Sequence, residues 1–159
     1  MRSSLLHASL ALQILVWIAP ATAQVIVTEP WVRATVEGLT ATGAYMTISS
    51  SRDVTLIGAS SDAAGHASVH EMQMHGSTMT MHPVDRLPIP AGHPVALDPG
   101  HYHVMLEDLK RKLSVGDRVA LDLQFIDAKG ARQTVHFVAP VRDLTAQDSG
   151  HIHSDMKHE

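Results

Sequence analysis

From residue 25 onward the chain is cut into short apolar or alternating runs, separated by clusters of Gly, Pro, Asp and Ser. Runs of that length between turn formers read as β-strands. The candidates are Val25–Val27, Trp31–Thr35, Ala44–Ser49, Val54–Ser60, Ser68–Met74, Met79–Pro83, Pro94–Leu97, Tyr102–Leu106, Arg118–Asp127 and Gln133–Pro140. In Val119-Ala-Leu-Asp-Leu-Gln-Phe-Ile, residues Val119, Leu121, Leu123 and Phe125 share one face, because strand side chains alternate. Asp127-Ala-Lys-Gly130 between the last two strands is a hairpin turn. A single short helical turn is expected near Leu106–Leu113, and no internal repeat is visible. Many short strands at this spacing predict an all-β domain, a sandwich or small barrel.

The two ends depart from that pattern. Residues 1–23 combine Arg2, an apolar run from Leu10 to Ile18 and a small-residue Ala21-Thr22-Ala23 site, which reads as a cleaved secretory signal. The apolar run is shorter than the roughly 20 residues a spanning helix needs, which disfavours a retained anchor. Residues 24–143 then form one domain with enough chain for a real core. Residues 144–159 are polar, have little to bury, and read as a flexible tail.

Charge and cysteine usage narrow the function. The chain has a formal net charge of −4, and loss of the signal removes one arginine and no acid, giving −5. That balance does not suit a nucleic-acid binder, which needs a basic surface. No later segment is apolar enough to span a bilayer as a helix. The chain holds no cysteine, so an exported domain here has no disulfide scaffold and any metal is held without thiolate.

One stretch carries unusual chemistry. Residues 70–82 read His-Glu-Met-Gln-Met-His-Gly-Ser-Thr-Met-Thr-Met-His. Gly76 and Ser77 suggest a turn that pairs Met74 with Met79 and Met72 with Met81. His70, Met72 and Met74 then share one face with Met79 and Met81 on the neighbouring strand. A third run, His101-Tyr-His-Val-Met105, places His101, His103 and Met105 together by the same alternation. Any one methionine is more often a core gap-filler than a ligand. Five of them phased with histidines, on a face where Leu, Ile or Val would serve a core, favour a metal site. Thioether suits Cu(I) and binds hard divalent ions poorly, and imidazole suits copper in both states. A blue-copper electron-transfer site is excluded, because it needs a cysteine sulfur. Neutral ligands favour a site that can also release its ion.

These residues resemble the PCuAC-type periplasmic copper(I) chaperone family, whose motif is His-x10-Met-x21-His-x-Met. His70, Met81, His103 and Met105 match it with no gap adjustment. Glu29-Pro-Trp-Val-Arg-Ala-Thr, Thr42-Gly-Ala-Tyr-Met-Thr-Ile, Pro88-Ile-Pro-Ala-Gly and Tyr102-His-Val-Met-Leu-Glu-Asp-Leu-Lys also look like segments of that family. The resemblance implies a cupredoxin-like β-sandwich or Greek-key barrel and Cu(I) held by those four residues near the surface. It implies delivery of copper to a haem–copper oxidase subunit, especially its CuA centre, or to another periplasmic copper carrier. Separately, the chain is expected to be a monomer and not an enzyme. His101 departs from the pattern, standing where glycine is frequent, and is expected to be an exposed turn residue. Met72, Met74 and Met79 exceed the motif as a second soft site or, as expected for each, as core or rim packing.

The tail adds His151, His153, Met156 and His158 with Asp155. Flexible His-rich tracts bind Cu(II), so the expectation is Cu(II) on the tail and Cu(I) on the domain. Two rivals share features. A copper sequestration or resistance protein would use the same ligands, although storage proteins tend to repeat their Met tracts. A cupin-like metalloenzyme would use His101, His103 and Glu107 for Fe or Mn. Val95 stands where its motif expects glycine, and no second cupin motif follows.

Overall fold

The structure is a computed structural model that describes residues 23–143. The expected signal up to residue 22 and the tail ligands His151, His153, Met156 and His158 lie outside the described residues. Ten strands follow in chain order: β1 (Val25–Arg33), β2 (Ala41–Ser50), β3 (Val54–Ser61), β4 (Ala64–His75), β5 (Thr78–Pro83), β6 (Leu87–Ile89), β7 (Val95–Leu97), β8 (Tyr102–Leu109), β9 (Arg118–Asp127) and β10 (Arg132–Arg142).

Three local features differ from the pattern in the sequence. The two runs on either side of Pro30 form a single strand, β1. A bulge between Thr28 and Trp31 absorbs the proline, with Glu29 at a left-handed φ of 51°. No helix forms over Leu106–Leu113. The segment through Leu109 is strand, paired on one side as Ala41↔Glu107 and on the other as Ala64↔Leu109, and Leu113 enters the core from the loop that follows. Ladder partners on both sides outweigh a weak local helical tendency. The third difference is β6, a three-residue strand centred on Pro88, which lies at one end of the sheet. An end strand is where a residue without an N–H is tolerated.

The strands hydrogen-bond into one open sheet in the order β5-β4-β8-β7-β2-β1-β10-β9-β3-β6. Its halves join where β1 and β10 pair in parallel over only two residue pairs, Val32↔Val141 and Arg33↔Arg142. The sheet folds over its own core, so β3 lies against β4 and β6 against β2. Ile48, Val69, Val104 and Leu106 from one half meet Leu56, Val119, Leu121, Leu123 and Phe125 from the other. The β9 alternation read from the sequence is the inward face of that strand, with all four of its residues buried. Because β4 and β8 turn Val69, Val104 and Leu106 inward, their intervening residues point away from the core. His70, His103 and Met105 are such residues.

Candidate metal centre

The site is built on β5, β4 and β8, which lie side by side at one end of the sheet. The β4–β5 turn has only Gly76 and Ser77 between the paired His75 and Thr78. Gly76 adopts φ 62°, a conformation that two-residue hairpins require and glycine adopts without steric cost. The register that follows pairs Met72 with Met81 and Met74 with Met79. On its other side β4 pairs His70 with His103 and Ser68 with Met105. The outer face therefore carries successive rows: Met74 and Met79 at the tip, then Met72 and Met81, then His70 and His103, then Ser68 and Met105. The four motif residues occupy three adjacent rows on three adjacent strands.

The two imidazoles form the buried end of this face. Their ring centroids are 5.9 Å apart at an interplanar angle of 51°. A metal lies about 3.2 Å from each ring centre, given a metal–nitrogen bond near 2.0 Å. The separation therefore suits two rings sharing one ion. His103 is only 4% exposed. Its Nδ1 donates weakly to the His101 carbonyl at 3.5 Å, leaving Nε2 to carry the lone pair. Burial, the largest influence, lowers the His103 pKa; the His101 contact opposes this and the neighbouring His70 adds to it. His70 Nε2 is 2.9 Å from the Ser68 hydroxyl, while its Nδ1 is buried with no hydrogen-bond partner. A buried nitrogen without a partner is costly unless something else occupies its lone pair. With Nε2–H donating to Ser68, that lone pair is free for a soft ion.

Beyond His103, Tyr45 closes the face. Its ring lies 6.3 Å from the His103 ring and 4.5 Å from that of Trp31, which β1 places opposite it after the bulge. Tyr45 lies back over Gly43, where an added Cβ would overlap its hydroxyl. Gly43 itself pairs with Met105. Burial raises the Tyr45 pKa, Arg33 opposes the rise and Asp98 adds to it, so the phenol stays protonated at neutral pH.

The methionine end is open. Met81, Met79 and Met74 are 42%, 54% and 61% exposed, and Met72 is half-buried. The expectation that the extra methionines pack in the core or at its rim fails for Met74 and Met79, because the hairpin projects past the strands that would cover them. His101 is exposed, as expected, and its Nδ1 is held 3.0 Å from an oxygen of Asp98. Among the described residues no three His, Asp or Glu side chains are grouped to hold a metal, so the His101, His103 and Glu107 set of the cupin reading is not assembled. The spacing of the motif did not reveal Ser68 or Tyr45. Ser68 was legible as the same-face neighbour two residues before His70, whereas Tyr45 arrives from a distant strand and leaves no local signal.

The profile of the LpqE-like lipoprotein family matches residues 25–141. The chain belongs to the LpqE-like family. A relative of this LpqE-like protein in Leifsonia xyli subsp. xyli, named as the lipoprotein Lxx21020, is 30% identical over 126 residues, covering 79% of this chain and 74% of the relative. Solved structures with the same cupredoxin-like fold include PCuAC domains. The copper-bound PCuAC domain of PmoF2 is 27% identical with a TM-score of 0.57, over 75% of this chain and 92% of that one. The Cu(I) form of DR1885 from Deinococcus radiodurans is 32% identical with a TM-score of 0.54, over 74% of this chain and 79% of that one.

Proposed function

We propose that this LpqE-like domain binds Cu(I) as cargo through His70, Met81, His103 and Met105 and passes it to exported copper proteins. The observation that carries the reading is the His70–His103 pair, two rings 5.9 Å apart with a buried, unpartnered His70 Nδ1, flanked on adjacent rows by thioethers. Two imidazoles and two thioethers are neutral and soft, which suits Cu(I) above hard divalent ions. The similarity to a copper-bound PmoF2 domain and to Cu(I)-DR1885 supports the same reading.

The arrangement also suits release. His103 is enclosed by Tyr45 and His70, whereas Met81 is open to solvent. A recipient's ligands can displace the thioether first and the imidazoles afterwards, so copper leaves by stepwise ligand exchange. The recipient class is an exported copper protein in the periplasm, with the CuA centre of a haem–copper oxidase the leading candidate. Among the described residues no helix is long and apolar enough to cross a membrane.

The test is Cu(I) titration of the mature chain against a chromogenic competitor, with Met81→Leu alongside. Tight one-to-one binding that weakens at least tenfold in the variant is expected. Met81 is solvent-open, so its replacement leaves the core intact. Binding indifferent to Met81 would make the methionine face a packing or docking surface and remove the chaperone reading. Transfer to an apo acceptor from the loaded protein then separates delivery from sequestration.

A further inference from the structure

The β4–β5 hairpin has a second face. On it lie Glu71, Gln73 and His75 from β4 opposite His82, Thr80 and Thr78 from β5. No thioether falls on this side. His75 and His82 are exposed and are not cross-strand partners, yet their rings lean toward each other over the Gln73–Thr80 pair. They stand edge to face with centroids 6.2 Å apart. Two rings that share an ion have centroids up to about 6.3 Å apart, with metal–nitrogen bonds near 2.0 Å. The spacing therefore permits bridging once a nitrogen of each exposed ring is turned toward a shared ion. Thr80 contributes to this: its hydroxyl donates to the Gln73 carbonyl at 3.3 Å and lies 3.1 Å from His82 Nε2. This leaves His82 Nδ1 as the ring nitrogen that Thr80 does not engage.

The neighbouring carboxylate is committed elsewhere. Glu71 accepts from Gln73 Nε2 at 2.8 Å and from the Tyr102 hydroxyl. The site is thus two imidazoles completed by water, which agrees with the lack of any grouped triad of His, Asp or Glu among the described residues. Imidazole with water is a borderline-to-hard donor set. Among the divalent first-row ions it favours Cu(II), at the head of the affinity series, and it lacks the sulfur that would favour Cu(I).

We propose that His75 and His82 form a Cu(II) site on the reverse face of the hairpin, separate from the thioether face and independent of whether that face binds Cu(I). One strand pair then offers soft ligands on one side and imidazole on the other, so each oxidation state of copper has its own side of the same element.

The experiment is Cu(II) titration of the full mature chain, followed by electron paramagnetic resonance and visible absorption. Wild type is compared with His75→Gln, His82→Gln, the double variant, and a tail variant carrying His151→Gln, His153→Gln and His158→Gln. Both hairpin positions are exposed, so folding is retained, and circular dichroism with an unchanged Cu(I) affinity verifies it. The expected result is loss of one Cu(II) equivalent, or at least a tenfold weaker affinity, in the double variant. Each single variant should show most of that loss, since one imidazole alone does not hold the ion. Unchanged Cu(II) binding in the double variant would overturn the proposal. So would complete loss of Cu(II) binding in the tail variant, or absence of Cu(II) binding in wild type. Failure of Met81→Leu to weaken Cu(I) binding would affect only the other face.

Discussion

At His70 the two ring nitrogens have different surroundings, and that difference is the chemistry of the site. Ser68 engages Nε2 and leaves Nδ1 buried without a partner. When the serine accepts from Nε2–H it holds His70 in the tautomer whose Nδ1 lone pair is free, the role that groups behind metal-bound histidines generally play. Ser68→Ala should weaken Cu(I) binding about tenfold, at the low end of such effects, with little change in apo stability. Competition titration and thermal unfolding together separate that result from a folding defect. His103 makes a second residue-scale prediction. Burial lowers its folded pKa below the ordinary value near 6.5. The unfolded chain then takes up a proton that the folded chain resists. The His103 contribution to apo stability is present above about pH 6.5 and is lost as pH falls from there through the lowered folded value. The stability difference between wild type and His103→Gln should therefore shrink or reverse between pH 7 and 5, measured by urea unfolding at each pH. The four-residue spacing was legible in the sequence. The tautomers and the aromatic cover were not, because Ser68, Tyr45 and Trp31 matter through where strands from distant parts of the chain come together.

The hairpin is the element on which both faces depend, and its register depends on two residues. Gly76 at φ 62° sets the turn that aligns Met72 with Met81. A β-branched replacement meets the steric penalty of left-handed backbone, about 1–2 kcal/mol. Gly76→Val should speed amide exchange in β5 and weaken Cu(I) binding through Met81, while amides near Phe125 in β9 keep their protection. Faster exchange throughout the domain would count against a local role. Period-two alternation made most of the strands legible, since it reports directly which side chains face the core. Three elements were misread for identifiable reasons. Pro30 looked like a break, but the bulge at Thr28–Trp31 carries β1 through it. Leu106–Leu113 looked weakly helical, but β2 and β4 supply ladder partners up to Leu109. β6 was missed because three residues around a proline give no periodic signal. His75 and His82 stood in the same stretch as the methionines. They were passed over because the alternation that groups the thioethers also sends these two to the reverse side.

Across the whole molecule, the apolar core and the candidate site occupy opposite sides of β4 and β8. Phe125 is fully buried among residues of both halves of the sheet. Phe125→Ala should cost about 3–5 kcal/mol, as aromatic truncations in packed cores do. It should leave the Cu(I) affinity of the folded fraction near that of wild type, read by titration under strongly native conditions. The inward strand faces were the most legible part of the fold. The closure of the sheet through the two-pair link of β1 to β10 was not, because no local pattern marks a contact between the two ends of the domain.

The outward placement of the ligand face has a consequence for how copper status is communicated. Under the proposed Cu(I) role, the side chains that would take the ion lie on the face of β4, β5 and β8 opposite the apolar core, so loading need not repack that core. A recipient cannot judge from the far side of the molecule whether the carrier is full or empty. It must touch the exposed thioethers to find out, which makes inspection and hand-over a single encounter.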